Sequence, residues 1–266
     1  MSVNMTTRMT YRKTTSFPSK FYDALASDYD EMTGFSQRFA KELPSFRAIV
    51  KQYGLKTALD AGCGTGFHSI LLTQLGLKVV ATDISEKMLI QTRHNARKLG
   101  LKIKTIASPF SMLNKVVPNK FDSVFCLGNT LAHFLTKQEL IGSLKSFYEV
   151  MNSGGILFLQ ILNYNRILTA CERIQSIKET DDKIFVRFYD YEKEIIRFNI
   201  LTIEKSKDGI THTLHTVPLR PWIATDIVNI LRRVGFCDVK LFGSIAMDKY
   251  NALTSKDIVI LAHHKK

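Results

Sequence analysis

The apolar residues between positions 57 and 162 form short, nearly continuous runs that alternate with longer stretches of helical spacing. Short buried runs predict strands of a parallel sheet, and the stretches between them predict the helices that cover it. The predicted strands are 57–60, 78–83, 102–107, 121–127 and 156–162, and the predicted helices are 36–53, 67–75, 86–99 and 136–151. This alternation predicts an α/β fold of the Rossmann-like kind, with helices on both faces of a mostly parallel sheet.

The pattern changes after residue 168. Three β-rich runs lie between Ile184 and Val217, and Lys207-Asp208-Gly209 between them has the composition of a hairpin turn. We therefore expect a small antiparallel β insertion, too small to hold a core of its own, beside the carboxyl ends of the parallel strands.

The last part of the chain returns to the first pattern. It predicts a helix over 225–234 and an antiparallel pair of strands, 239–242 and 258–262, which bring the sheet to seven strands. The predicted organisation is a disordered tail (1–18), a lid segment with the ligand-binding core (19–168), the antiparallel insertion (169–222) and the end of the core sheet (223–266).

A glycine-rich turn joins the first predicted strand to its helix. The chain there reads Leu59-Asp60-Ala61-Gly62-Cys63-Gly64-Thr65-Gly66, and glycines at such a turn let the backbone bend sharply and approach a ligand. The next strand ends in Asp83, at the spacing where a carboxylate can hold the two hydroxyls of a ribose. The dinucleotide fingerprint G-x-G-x-x-G needs its third glycine one residue later, and a pyrophosphate would not favour Asp60. A dehydrogenase therefore stays only as the alternative.

The order D-x-G-x-G-x-G resembles motif I of the class I S-adenosylmethionine-dependent methyltransferases. The resemblance implies S-adenosyl-L-methionine as the cofactor, with Asp83 on its ribose and Asp60 either orienting the turn or meeting the amino end of the cofactor. It also implies that Ile84 and Met88 pack on the adenine. The remaining turn and strand-end contacts that it implies are with Ala61, Gly62, Cys63, Gly64 and Leu127.

Ser108 stands after the third strand, where members of this class often have an acid that bonds the adenine amino group. We expect the Ser108 hydroxyl to accept that bond and Phe110 to lie against the ring.

Two further stretches resemble the glycine and glycine/sarcosine N-methyltransferases. They are Leu127-Gly128-Asn129-Thr130-Leu131-Ala132-His133 and Asn163-Tyr164-Asn165-Arg166-Ile167-Leu168. The resemblance implies catalytic contacts for Asn129, His133 and Tyr164, with His133 also near the amino acid or ribose end of the cofactor.

The same resemblance extends to the N-terminal part of the chain. Phe21-Tyr22-Asp23-Ala24-Leu25-Ala26-Ser27-Asp28-Tyr29-Asp30 is similar to the segment that lies over the cofactor in this family. Tyr22 and Tyr29 are therefore expected to line the cofactor pocket, and Arg38 is expected to contact the cofactor carboxylate.

One departure from the family concerns the methyl acceptor. Leu162 stands where the family holds the carboxylate of its substrate with an Arg, and Ile161 stands where it has a His. Since leucine cannot make that bidentate contact, we expect an acceptor other than glycine, unless Arg187, Arg197 or Arg220 takes over the role.

Composition adds few constraints. The 266 residues carry 37 Lys and Arg against 24 Asp and Glu, a formal charge of +13 that keeps an RNA methyltransferase open as an alternative. The four cysteines form no C-x-x-C pair, and no run of apolar residues reaches membrane-spanning length. We expect a cytoplasmic methyltransferase that acts on a small-molecule amine and needs no metal. A homo-oligomer is possible. The third alternative is a protein that binds the cofactor without catalysing a reaction.

Overall fold

Two β-sheets organise the chain in the computed structural model, which describes residues 18–117, 119–206 and 209–266. The larger sheet has seven strands in the order β10-β11-β5-β4-β1-β2-β3. Its strands are β1 (Thr57–Ala61), β2 (Lys78–Asp83), β3 (Lys104–Ala107), β4 (Phe121–Cys126), β5 (Met151–Leu162), β10 (Cys237–Phe242) and β11 (Asp257–His263). Strands β1 to β5 run parallel, and β11 is antiparallel to both β5 and β10. The predicted Rossmann-like α/β fold is confirmed.

Nine α-helices accompany the sheets within the described residues. They are α1 (Pro18–Leu25), α2 (Tyr29–Thr33), α3 (Phe35–Tyr53), α4 (Phe67–Gln74), α5 (Glu86–Lys98), α6 (Leu113–Val116), α7 (Lys137–Glu149), α8 (Tyr164–Ala170) and α9 (Ala224–Val234). Two of these helices begin with a side-chain cap: the Ser85 hydroxyl accepts from the Met88 amide, and Thr136 and Glu139 form a capping box. Among the described residues, no helix combines the length and apolar composition needed to cross a bilayer.

Strands β1, β2, β4 and β11 of the larger sheet are buried along almost their whole length because both faces of the sheet are covered there. One face packs in a cluster that includes Phe46, Leu71 and Phe158, on the side of α3 and α4. The other face packs in a larger cluster that includes Phe147 of α7 and Leu231 of α9. A parallel sheet buried on both sides has continuous rather than alternating apolar strands, which explains why the strand runs could be read directly from the sequence.

The smaller sheet has four antiparallel strands in the order β6-β7-β8-β9, inserted between α8 and α9. Its strands are β6 (Ile174–Glu179), β7 (Lys183–Tyr191), β8 (Ile196–Ser206) and β9 (Gly209–Leu219). The prediction of three β-rich runs was wrong because it omitted β6, an edge strand whose pairing with β7 is shifted between Ile174 and Ser176. That irregularity interrupts the alternation that would have marked a strand.

The smaller sheet does not have a hydrophobic core of its own. Phe185, Tyr189 and Val217 belong to the same buried cluster as the strands of the larger sheet. The hairpin turn expected at 207–209 lies partly outside the described residues, as do residues 1–17 of the expected tail. Pro18 itself is the first residue of α1, a position where its fixed φ and missing N–H are tolerated.

Strand β5 begins earlier than its apolar run suggests. The stretch 152–155 is not a break, because β5 already starts at Met151 and pairs with Phe121 of β4. Helix α8 follows β5 directly and has Cys171 as its C-cap. The start of β5 was misplaced because polar and glycine residues there read as a loop, although pairing with β4 holds them in the strand.

Candidate functional site

A cavity of about 340 Å³ lies where β1, β2 and β4 end. The neighbours β1 and β4 are consecutive in the sheet but not in the chain, and such a switch in strand order opens a crevice at the carboxyl ends of the strands. The predicted site residues that line this cavity are Tyr22, Tyr29, Arg38, Gly62, Cys63, Gly64, Asp83, Ile84, Ser108, Phe110, Leu127 and His133.

The glycine turn forms the floor of the cavity. Gly62, Gly64 and Gly66 all have positive φ, at 74°, 57° and 89°. A Cβ on Gly62 would lie 2.7 Å from Cγ2 of Thr130, and one on Gly66 would lie 2.6 Å from Cγ2 of Thr92. Gly62 and Gly66 are therefore needed for close packing, whereas at Gly64 the nearest atom outside the turn, in the Tyr29 ring, is 3.9 Å away.

Asp83 anchors the turn to the end of β2. Its two carboxylate oxygens accept from the amides of Gly64 and Ser85, each at 2.9 Å. Burial raises the pKa of this carboxyl, although the backbone amides oppose the shift. A carboxylate has about four acceptor positions, so the two amides leave acceptor capacity for a ligand in the cavity.

Three residues after β2 and β3 form one end of the cavity. Ile84 is 46% exposed although it follows a buried strand, and Phe110 is buried with its ring 5.0 Å from that of Phe147. The Ser108 hydroxyl donates to the carbonyl of Pro109 at 2.9 Å, so its oxygen still has lone pairs that can accept. Two apolar surfaces beside a hydroxyl acceptor suit a planar base with an amino group.

A chain of polar side chains reaches the opposite end of the cavity. Glu42 accepts from Nε of Arg38 at 2.9 Å and pairs with Nε2 of His68 at 3.0 Å. Burial opposes the ionisation of Glu42, but the bonds and charges of His68 and Arg38 together lower its pKa. The Arg38 guanidinium lies 4.1 Å from the centre of the Phe67 ring. The network fixes Arg38 while four of its five N–H donors remain for a ligand.

Helices α1 and α2 form the roof. The Ser85 hydroxyl donates to Asp23 at 2.5 Å, and Asn95 donates to Asp30 at 2.6 Å, so both helices are tied to α5 or its cap. From the other side, Lys183 of the smaller sheet pairs with Asp28 at 2.8 Å. These ties hold Tyr22 and Tyr29 over the cavity, with their rings 6.1 Å apart.

His133 meets Tyr22 at the cavity wall. The Tyr22 hydroxyl and Nε2 of His133 are 2.8 Å apart, while Nδ1 is buried and has no partner among the described residues. Burial lowers the pKa of His133 to about 4 and raises that of Tyr22. Both groups are therefore neutral at physiological pH, and Nδ1 is the ring atom left for a ligand.

Asn129 and Tyr164 lie together at the ends of β4 and β5, behind the cavity lining. The Asn129 amide donates to the Tyr164 hydroxyl at 3.0 Å, and its oxygen accepts from the Leu162 amide at 3.1 Å. Asn129 has a left-handed backbone, with φ 74°, a conformation that asparagine tolerates better than most residues. The hydrogen bonds of Asn129 thus connect the chain just after β4 to the end of β5 and the start of α8.

Three residues expected at the cofactor lie outside the cavity lining. Asp60 is buried beneath the turn, where it accepts from the Ser69 hydroxyl at 2.6 Å and burial raises its pKa. Ala61 and Met88 are fully buried. The structure thus places these three under the site, and Asp60 in particular holds the start of α4 against the end of β1.

Sequence reasoning missed several residues of the site. Thr130 and Thr92 set the spacing around the glycines; Thr92 carries no motif signal, and Thr130 lies within the stretch 127–133 without being singled out there. Glu42 could have been found, because it lies four residues after Arg38 on a predicted helix and such pairs share a helix face. Its contact with His68, 26 positions later, had no such signal.

This chain is similar to known methyltransferases both in sequence and in fold. Residues 58–155 match the model of a methyltransferase domain. A glycine/sarcosine N-methyltransferase from Aphanothece halophytica is 30% identical over 85% of this chain and 83% of that protein. One from Halorhodospira halochloris is 28% identical over 87% and 84%. The fold is also that of an S-adenosylmethionine-dependent methyltransferase from Clostridium acetobutylicum, at a TM-score of 0.77 and 18% identity, covering 92% of this chain and 99% of that one.

Proposed function

This chain belongs to the S-adenosylmethionine-dependent methyltransferases, in the family of the glycine/sarcosine N-methyltransferases, and on this premise we propose that it methylates the nitrogen of a small-molecule amine. It is an enzyme of the class I fold, and its methyl donor is S-adenosyl-L-methionine. The residues that line the cavity determine how that donor is held and which acceptor can reach it.

The cavity fits the cofactor at each of its parts. The room beside Gly64, the acceptor capacity of Asp83 and the apolar end at Ile84 and Phe110 suit a ribose with a purine base. Arg38 suits a carboxylate at the other end. When bound, S-adenosyl-L-methionine supplies a methyl group that its positively charged sulfur activates.

The residues of this chain then have three tasks. Asp83 and the glycine turn orient the donor, α1 and α2 exclude water above it, and Asn129 with Tyr164 fixes the strand ends where the acceptor nitrogen must approach. In-line transfer depends chiefly on such alignment. His133 is neutral, so its Nδ1, which has no partner among the described residues, can accept a hydrogen bond from the acceptor amine and orient it.

The observation that carries the amine assignment is a group of three neutral aromatic side chains in the cavity wall. Tyr22, Tyr29 and His133 present hydroxyls, a ring nitrogen and ring faces; the tyrosines are uncharged near pH 7, and burial lowers the pKa of His133 to about 4. Nitrogen gains positive charge as it is methylated, and aromatic faces with neutral acceptors stabilise that charge. A wall of cations would oppose it.

The disposition of the arginines supports an acceptor without a carboxylate. Arg220 donates to the Leu135 carbonyl at 2.9 Å and lies over Trp222, and Arg197 pairs with Glu192 away from the cavity. Of the three arginines, Arg187 is the one whose charge opposes the burial that raises the pKa values of Tyr29 and Tyr189. Its Nε, however, donates a hydrogen bond to the Ser176 hydroxyl. Leu162 offers no replacement for the Arg that the family resemblance implies.

The test is a panel of acceptors with labelled cofactor. We expect primary and secondary amines without a carboxylate to be methylated with higher kcat/KM than glycine or sarcosine, and hydroxyl acceptors and RNA not to be methylated. If the enzyme preferred an amino acid as its acceptor, the proposal that the acceptor lacks a carboxylate would be wrong. Arg187 would then be the first residue to test as the one that holds the carboxylate. Methylation of RNA alone, or cofactor binding without any turnover, would contradict the proposed function itself.

A further inference from the structure

The smaller sheet carries apolar side chains on both faces, although its outer face also carries polar ones such as Asp190, Asn199 and Lys205. On the covered face Phe185, Tyr189, Ile200 and Val217 are buried. The opposite face, here called the outer face, carries Ile174, Ile177, Ile184, Val186, Phe188, Leu201, Ile203, Ile210 and Leu214. Strand register places these nine side chains on one side of the sheet, because residues paired across neighbouring strands point to the same face.

A continuous apolar row crosses the outer face from edge to edge. Ile177 of β6 pairs with Val186 of β7, Val186 with Leu201 of β8, and Leu201 with Leu214 of β9. The two ends of this row are 63% and 54% exposed, at Ile177 and Leu214. Ile174 and Ile210, on either side of the row, are 57% and 73% exposed.

Such a face is unusual in a sheet that is solvated on one side. Antiparallel sheets of that kind alternate apolar and polar residues, so the solvent face is polar. A contiguous exposed apolar patch rimmed by polar residues marks an interaction site. The exposed apolar row of the outer face therefore has the character of an interaction surface, whereas the Phe188 ring on the same face lies 5.5 Å from the guanidinium of Arg173.

The size of the outer face matches what a protein–protein interface requires. Four strands about 4.8 Å apart and seven residues about 3.3 Å apart give it a projected area of roughly 400–450 Å². A standard interface buries about 800 Å² per partner, with an apolar centre inside a polar rim. The outer face supplies the apolar centre, and the charged residues around it supply the rim.

The charges at that rim are balanced within the chain itself. Lys205 pairs with Glu179 at 2.6 Å, Arg173 with Asp190 at 2.7 Å, and Arg197 with Glu192. The chain carries +13 overall, yet these described side chains leave no net charge beside the apolar row. A nucleic acid or acidic partner would need unpaired cations here, whereas a neutral, self-complementary face suits a second copy of itself.

We propose that the outer face docks on the outer face of a second copy of this chain about a two-fold axis. The two four-stranded sheets then pack face to face, about 10 Å apart, as an eight-stranded sandwich. Such an interface is isologous, so each apolar row contacts its symmetry mate. The covered faces, and with them the roofs of the two cavities, stay on the outside of this sandwich. The inference does not depend on the identity of the methyl acceptor.

The test is the concentration-dependent mass of the full chain, measured by analytical ultracentrifugation. We expect a dimer at tens of micromolar for the wild type. Ile177→Lys and Leu214→Lys each place two charges in the interface, so we expect the dimer dissociation constant to rise roughly a hundredfold, a factor of about ten for each lysine. Lysine is tolerated at exposed edge strands, so both variants should fold.

Matched controls are Leu253→Lys and Ile90→Lys. Leu253 and Ile90 are 64% and 54% exposed and lie outside the smaller sheet, so the same substitution there should leave the dimer intact. Far-ultraviolet circular dichroism and cofactor affinity confirm that each variant is folded. A monomeric wild type, whatever else covers the outer face, would overturn the proposal. A dimer weakened equally by the controls, or unaffected by both sheet variants, would overturn it as well.

Discussion

The two halves of the cavity are built by different means. On the half that we propose to hold the cofactor, backbone amides bind the Asp83 carboxylate, as the Gly64 amide does across 19 positions of the chain. On the half that we propose to receive the acceptor, His133 meets Tyr22 across 111 positions, and behind the lining Asn129 meets Tyr164 across 35, in both cases through side chains.

This difference predicts which half of the cavity tolerates substitution better. A site made by backbone turns needs glycine and one acid in a set order, so it leaves a strong pattern and tolerates little change. A site made by side chains from separate elements can change one residue at a time, because each replacement leaves the strands in place. Leu162 illustrates this: its backbone amide still donates to Asn129, whatever its side chain offers to the acceptor.

The sharpest test of the cofactor half is Asp83→Asn. The substitution removes the charge and one acceptor oxygen, so we expect cofactor affinity to fall about a hundredfold or more, equivalent to about 3 kcal/mol. Isothermal titration with S-adenosyl-L-methionine measures it. Asp122→Asn is the control, because Asp122 also accepts from two backbone amides, those of Lys56 and Thr57, but does not line the cavity. Equal losses in both variants would contradict a direct contact.

Crowding at the turn is tested by Gly62→Ala. The new Cβ would lie 2.7 Å from Thr130 at a φ that disfavours alanine, so we expect about tenfold weaker cofactor binding and a loss of about 1–3 kcal/mol in unfolding free energy. Gly76→Ala is the control: Gly76 has φ 91° with nothing within 4 Å. It should lose stability and keep its affinity. Unchanged affinity in Gly62→Ala would refute the tight fit.

The acceptor half is tested by Tyr164→Phe. Loss of the hydroxyl removes the bond that orients Asn129, and we expect kcat/KM for the acceptor to fall about fivefold, equivalent to about 1 kcal/mol. Cofactor affinity should not change, since Tyr164 does not line the cavity. Tyr148→Phe is the control, because Tyr148 stacks on His264, 3.8 Å away, outside the site. A matching loss of cofactor affinity would show that the two halves are not separable.

A further prediction concerns His133 and pH. Its pKa is about 4 in the folded chain and about 6.5 when unfolded, so below pH ~6.5 the unfolded chain binds a proton that the folded chain does not. Unfolding free energy should therefore fall as pH drops from about 6.5 to about 4, by up to about 1.4 kcal/mol per unit. His133→Gln should remove this contribution in urea unfolding, while His212→Gln on the exposed part of β9 should retain it. Equal slopes in both variants would contradict a buried neutral histidine.

The sequence predicted the parallel core more accurately than the insertion. Strands β1, β2 and β4 were found within a residue of their ends because burial on both faces makes their apolar runs continuous. Strand β6 was missed because an edge strand with a register shift, exposed on one face, has no such run. The same reason hid the start of β5, where pairing rather than composition keeps 151–155 in the strand.

By itself, the sequence determined the fold class, the glycine turn and Asp83, because these depend on backbone geometry and on contacts within one strand-turn-helix unit. Only the tertiary structure decided that Asp60 lies beneath the site rather than in it, that Tyr22 holds His133, and that Glu42 joins Arg38 to His68. It also decided that the smaller sheet carries a second apolar face. Such contacts join distant segments, and their partners are selected by how the elements pack, which no local pattern encodes.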